Sequence, residues 1–101
     1  MDTPVANVED VETQFGGTVC VVRLRGALSD TSAARIRRLV ERITDAGSSS
    51  ILIDASLLRA FNEDCAAALS TLSQAIRRLG GTISAYGASG PAAALVSSLK
   101  N

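Results

Sequence analysis

Leu52-Ile53-Asp54-Ala55-Ser56-Leu57-Leu58-Arg59-Ala60-Phe61-Asn62-Glu63-Asp64-Cys65-Ala66-Ala67-Ala68-Leu69 begins in one kind of structure and ends in another. Ile51 to Asp54 is a short branched apolar run closed by an acid, which predicts a strand. From Glu63 to Leu79, the apolar residues Leu69, Leu72, Ile76 and Leu79 recur at spacings of three and four, which predicts a helix. Asn62 is a favourable N-cap, because its side-chain oxygen can accept from a free N–H of the first turn. Glu63 and Asp64 complement the positive end of the helix dipole, and Arg77 and Arg78 the negative end. Gly80-Gly81 ends the helix. Between strand and helix lies a corner, Ser56 to Cys65.

The same grammar extends in both directions. Upstream, Val8 to Phe15 reads as a strand, Gly16-Gly17 as a hairpin turn, and Thr18 to Arg25 as a β-branched second strand ended by Gly26. Apolar residues on both faces of that strand suit an interior position. Thr31 to Ala46 is a helix, with Ile36, Leu39, Val40 and Ile43 on one face, Ser29 or Asp30 as cap and Gly47 as stop. Its remaining surface holds Arg35, Arg37, Arg38, Glu41, Arg42 and Asp45. A docking face for acidic partners and a solvated helix face are both readings of it. Downstream, Thr82 to Tyr86 is a fourth strand, with the Tyr86 hydroxyl expected in solvent. Ser89 caps a last helix that has Pro91 in its first turn and Leu95, Val96 and Leu99 on its apolar side.

The expected fold is therefore α/β: a mixed sheet of about four strands, an N-terminal hairpin followed by two βαβ crossovers, and three helices, as one domain over residues 1–101. If successive parallel strands are neighbours, both crossover helices cover one face of the sheet. The other face and the edge strand Val8 to Phe15 are then open, and a monomer or a homodimer fits.

Composition narrows the function. Ten basic and ten acidic residues cancel, the pI is near 6.2, and aromatics are 3%. A nucleic-acid partner would call for a basic face or stacking aromatics. No apolar run approaches the ~18 residues of a membrane span, and Met1 to Glu9 lacks the features of a secretory signal, so a cytoplasmic protein without membrane insertion is expected. Histidine is absent, which removes imidazole bases and most zinc sites. No nucleophile–base pair can be assembled, so no catalytic residue, metal or cofactor is expected. Cys20 and Cys65 form no metal pattern; they read as small buried hydrophobes or as a redox pair. Gly87-Ala88-Ser89-Gly90 reads as a tight turn and cap rather than an anion cradle.

The run from Leu52 to Leu69 resembles the core of the STAS family, which includes bacterial anti-sigma factor antagonists, also called anti-anti-sigma factors. In that family a strand ending in Asp leads through a loop to Asp-Ser-Ser-Gly-Leu at the start of the second helix. Counted from Asp54 without gaps, Asn62 stands at the motif Asp, Glu63 at the serine that a partner kinase phosphorylates, Asp64 at the next serine, Cys65 at the glycine and Ala66 at the leucine. Val22 to Ser29 is similar to the family strand ending Gly-Glu-Leu-Asp, with Ala27 and Ser29 in place of the two acids. Leu79 to Ser84 is similar to its helix-to-strand turn. The resemblance spans Val8 to Leu99, although the family usually adds a further short element and helix.

The resemblance implies a non-enzymatic, partner-docking module. Its partner would be an anti-sigma factor of the serine-kinase type or a related regulatory protein, met through Ser29, Asp30, Phe61, Asn62, Glu63, Asp64, Cys65 and Ser89. Glu63, the phosphosite-equivalent residue, has no hydroxyl to modify. Two readings of the acidic pair stand together. Glu63 and Asp64 approach the charge of about −1.5 to −2 of a phosphoserine, which implies a permanently released state or a partner that prefers the acidic form. They also simply complement the helix dipole, at roughly 0.3–1 kcal/mol each. STAS-like domains also serve as subunits of transport ATPases and other complexes, and a surface without a switch suits that alternative.

Overall fold

The computed structural model describes residues 10–47, 50–88, 90 and 93–95. Its elements run β1 (Val11–Gly16), β2 (Val19–Ala27), α1 (Asp30–Ala46), β3 (Ser50–Ala60), α2 (Glu63–Arg78) and β4 (Thr82–Tyr86). Residues 93–95 are helical, and Leu95 packs partly against the core. The expected third helix is described only there, and its cap Ser89 lies outside the described residues.

The sheet order is β1-β2-β3-β4. β1 pairs antiparallel with β2, while β2–β3 and β3–β4 are parallel. Parallel neighbours require a crossover, and α1 and α2 provide the two. Both pack on the same face. Cys20, Val22 and Leu24 of β2, Ile51, Ile53 and Ala55 of β3, and Ile83 and Ala85 of β4 are buried there at alternate positions. Against them lie Ile36, Leu39 and Ile43 of α1 and Leu69, Leu72 and Ile76 of α2. The core is almost wholly aliphatic. On the opposite face no described element covers the sheet: Val19 and Tyr86 are exposed, and Val21, Arg23 and Leu52 are half-buried.

Several boundaries differ from the sequence expectation. The hairpin turn is Gly17-Thr18, with Gly16 still paired to Val19. β2 continues through Gly26 to Ala27. β3 does not stop at Asp54 but runs to Ala60, so the corner before α2 contains only Phe61 and Asn62. The reason is a pair of irregularities in the register against β2. Arg23 pairs with Asp54 and Arg25 with Leu57, then Gly26 with Leu58 and Ala27 with Ala60. Each places an extra residue in β3. The first moves Leu58 onto the core side and leaves Leu57 59% exposed, which breaks the alternation that a sequence reading relies on. Leu79 also departs from expectation: it caps α2 and is exposed.

Gly47 closes α1 in the left-handed conformation, φ 70°, as a C-terminal glycine does without Cβ strain. Among the described residues no helix is long and apolar enough to cross a membrane.

Candidate functional site

The ends of β2 and β3 deliver the starts of α1 and α2 side by side. Leu28 N–H donates to the Ala60 carbonyl at 2.9 Å, tying the two exits together. Asn62 is the N-cap of α2, and its Oδ1 accepts from Cys65 N–H at 2.9 Å. Its amide Nδ2 donates to Asp30 Oδ1, also at 2.9 Å. One side chain therefore caps its own helix and clamps the first residue of the neighbouring one. Cys65 Sγ donates to the Ser29 carbonyl at 3.1 Å, a third link beneath the first two.

Asn62 thus has its oxygen and its amide engaged, while the two acids after it face outward. Glu63 and Asp64 are exposed in the first turn of α2. Among the described residues neither has an ion-pair partner. With Asp30 they make three carboxylates at one corner of the sheet. Ser29 is exposed, and Phe61 is half-buried against the core. Cys65 differs from the expected partner-facing role. It is fully buried, so it can support the corner but cannot touch a partner. Burial pushes its thiol above the usual range, and the negative charges of Asp30, Asp64 and Asp10 add to that shift although the Asn62 hydrogen bond opposes it.

A redox pair with Cys20 does not fit. Cys20 lies near the start of β2 and Cys65 beside Ser29, beyond its end. Nine residues of mostly extended chain at ~3.3 Å each separate the two levels, far more than the ~7 Å limit for bridged Cα atoms. Both thiols are free and buried.

The start of α1 is built differently. Ser29 N–H donates to Ser32 Oγ at 2.9 Å. Ser32, itself fully buried, donates to the Asp10 carboxylate, which also accepts from Arg35 Nη1 at 2.9 Å. The Asp10 carbonyl receives Arg25 N–H at 2.8 Å. Sequence reading missed Asp10 and Ser32, and placed Arg35 only on the charged surface of its helix. The serine spacing, N-cap to third helical residue, is a capping-box signal that could have found Ser32; the link to Asp10 has no local signature.

On the open face, Asp54 accepts from Ser56 Oγ at 2.6 Å and Ser56 N–H at 3.0 Å, and Arg23 Nε lies 3.5 Å away. The Ser56 bonds hold its carboxyl below the usual range. Tyr86 is exposed, as expected, and interaction with the Asp54 carboxylate, hydrogen bonding above all, pushes its phenol up. Gly87 follows at φ 83°, with Ser56 so close that a Cβ would stand 2.7 Å from its Cβ. This close approach requires glycine at position 87; the expected cap Ser89 lies outside the described residues. Among the described residues no cluster of metal-ligating side chains occurs.

The family model "Mlab, STAS domain" matches residues 11–100, nearly the whole chain. The chain belongs to the STAS domain family. Solved structures agree with this STAS fold. The unphosphorylated anti-sigma factor antagonist SpoIIAA is 13% identical, with 86% of this chain and 81% of that chain covered and a TM-score of 0.77. The phosphorylated Bacillus cell fate determinant SpoIIAA is 15% identical, with 83% and 77% covered and a TM-score of 0.72. DspI of Pseudomonas aeruginosa is 12% identical, with 77% of this chain and 41% of that chain covered and a TM-score of 0.56. At these identities the likeness is one of fold. A comparison with curated proteins gives no match. The mixed four-stranded sheet of this STAS domain is thus a fold it shares with these structures.

Proposed function

We propose that this STAS domain is a cytoplasmic, non-enzymatic docking module of the anti-sigma factor antagonist kind. Its partner surface is the corner formed by Ser29, Asp30, Phe61, Asn62, Glu63 and Asp64; Ser89, which the family resemblance adds, lies outside the described residues. The observation behind this reading is the exposed Glu63–Asp64 pair on a helix start held rigidly by Asn62. A rigid, charged corner suits recognition, because little side-chain or loop ordering remains to oppose binding.

The partner is an anti-sigma factor of the serine-kinase type or a related regulator, and it recognises the acidic form. Charge at Glu63 is permanent, so association is not switched there by phosphorylation; control lies in partner abundance or elsewhere on the molecule. Affinity capture from a lysate of the source organism tests this with the wild type, Glu63→Ser, and Glu63→Arg/Asp64→Arg. The wild type should retain an anti-sigma or kinase-like protein, and the charge-reversed form should lose it. Retention of the same proteins by all three forms would sink the reading. Capture of a membrane transport ATPase instead would replace the partner class.

A further inference from the structure

A second charged surface lies on the other flank of α1. Arg35, Arg38 and Arg42 follow at i, i+3 and i+7, so they share one helix face. With Leu39 above and Val11 and Thr13 of β1 below, they line a groove of about 440 Å³. No acid lines it. Arg35 reaches out of it to Asp10, Arg42 stacks over Phe15 at 5.5 Å, and among the described residues Arg38 has no acidic partner.

The floor of this groove is a sheet edge with no further strand beside it among the described residues, since β1 stands first in the strand order. Its hydrogen-bonding direction follows from the register. Gly16 and Val19 flank the two-residue turn, and Arg25 N–H bonds the Asp10 carbonyl. In an antiparallel ladder the bonded pairs alternate, so even-numbered residues spend their backbone groups on β2. Val11, Thr13 and Phe15 turn theirs outward. The same three residues pair with the buried Leu24, Val22 and Cys20, so their side chains lie on the helix-covered side, toward the arginines.

We propose that this groove docks an extended, acidic segment of a protein partner as a fifth strand on β1. The spacings agree. Alternate residues of a strand recur every ~6.8 Å, and Arg38 and Arg42 are separated by a rise of about 6 Å along the helix. Carboxylates at every second position would each meet a guanidinium while the main chain completes the ladder. A polyanion without a strand-forming backbone would satisfy the arginines only.

A fluorescein-labelled peptide, Thr-Glu-Val-Glu-Val-Glu-Thr, titrated into the domain tests this by anisotropy. The expected result is saturable binding that weakens by roughly tenfold or more in Arg38→Glu/Arg42→Glu. Thr13→Pro should weaken it similarly without changing charge, since proline is tolerated at an edge and removes one outward N–H. Amide hydrogen exchange on the wild type provides a reading independent of any variant: Val11, Thr13 and Phe15 should gain protection when the peptide is bound. Absence of saturation up to ~1 mM, equal binding of the peptide with Lys in place of Glu, or unchanged protection at β1 would overturn the proposal. Equal binding to Thr13→Pro would also overturn it, by reducing the groove to a non-specific cationic patch.

Discussion

The two helix starts at the end of the sheet are neighbours made by opposite strategies. At α1, the polar groups turn inward: Ser32 is buried and bonded to Asp10, which is bonded in turn to Arg35. At α2, one residue does the holding, and the acids that follow it remain exposed. The contrast separates carboxylates that build the fold from carboxylates that are available to a partner. Asp10 belongs to the first class, Glu63 and Asp64 to the second, and Asp30 is shared between them through its bond to Asn62.

The contrast would break most visibly at Asp10. Replacing it with Ala strands the buried Ser32 hydroxyl and removes the charge-assisted bond to Arg35, so about 2–3 kcal/mol of stability should be lost in urea unfolding. A loss no larger than that of an ordinary surface substitution would show that the α1 start is not held from within. Asn62→Ala comes next. It removes a cap and frees Asp30, and should cost about 1 kcal/mol, typical of an N-cap. Glu63→Gln and Asp64→Asn should each cost only about 0.3–1 kcal/mol, the contribution of the dipole. Losses as large as that of Asp10→Ala would mean that these acids are structural after all.

Asp54 adds a pH dependence to the carboxylates that build the fold. Its carboxyl is held below the usual range chiefly by Ser56. The folded-state value is therefore lower than the unfolded one. The stabilisation is present at neutral pH and is lost as the pH falls below ~3.9 and through the folded value. Urea midpoints measured from pH 6 downward should fall more steeply in the wild type than in Ser56→Ala. Parallel curves would remove Asp54 from the tied class.

Much of this was readable in the chain, and the reasons are local. The helix stripes Ile36-Leu39-Ile43 and Leu69-Leu72-Ile76 are buried as their spacing predicts. Asn62 caps α2 as expected, because an N-cap acts within three residues of itself. The run after Asp54 was misread as a corner for an equally physical reason. Extra residues in β3 reset the face that each side chain occupies, and Ala55 and Leu58, three apart, both reach the core. Contacts made by topology were not readable at all. Asp10 meets Ser32 and Arg35 only because β1 lies beside α1, and Asp30 meets Asn62 only because β2 and β3 end together. The lack of a described neighbour at the β1 edge, beneath the arginines, is likewise a property of strand order. Cys65 shows the remaining gap: its position in the chain placed it in the corner, and only packing reveals that it lies beneath the surface.

The most direct measurement is calorimetric titration of a purified serine-kinase-type anti-sigma factor from the same organism with two forms of the domain. These are the wild type and Glu63→Gln/Asp64→Asn, with urea midpoints recorded alongside. The double variant should lose affinity roughly tenfold or more, with a midpoint close to that of the wild type. Equal affinity in the two forms, with both folded, would contradict a docking surface centred on Glu63 and Asp64.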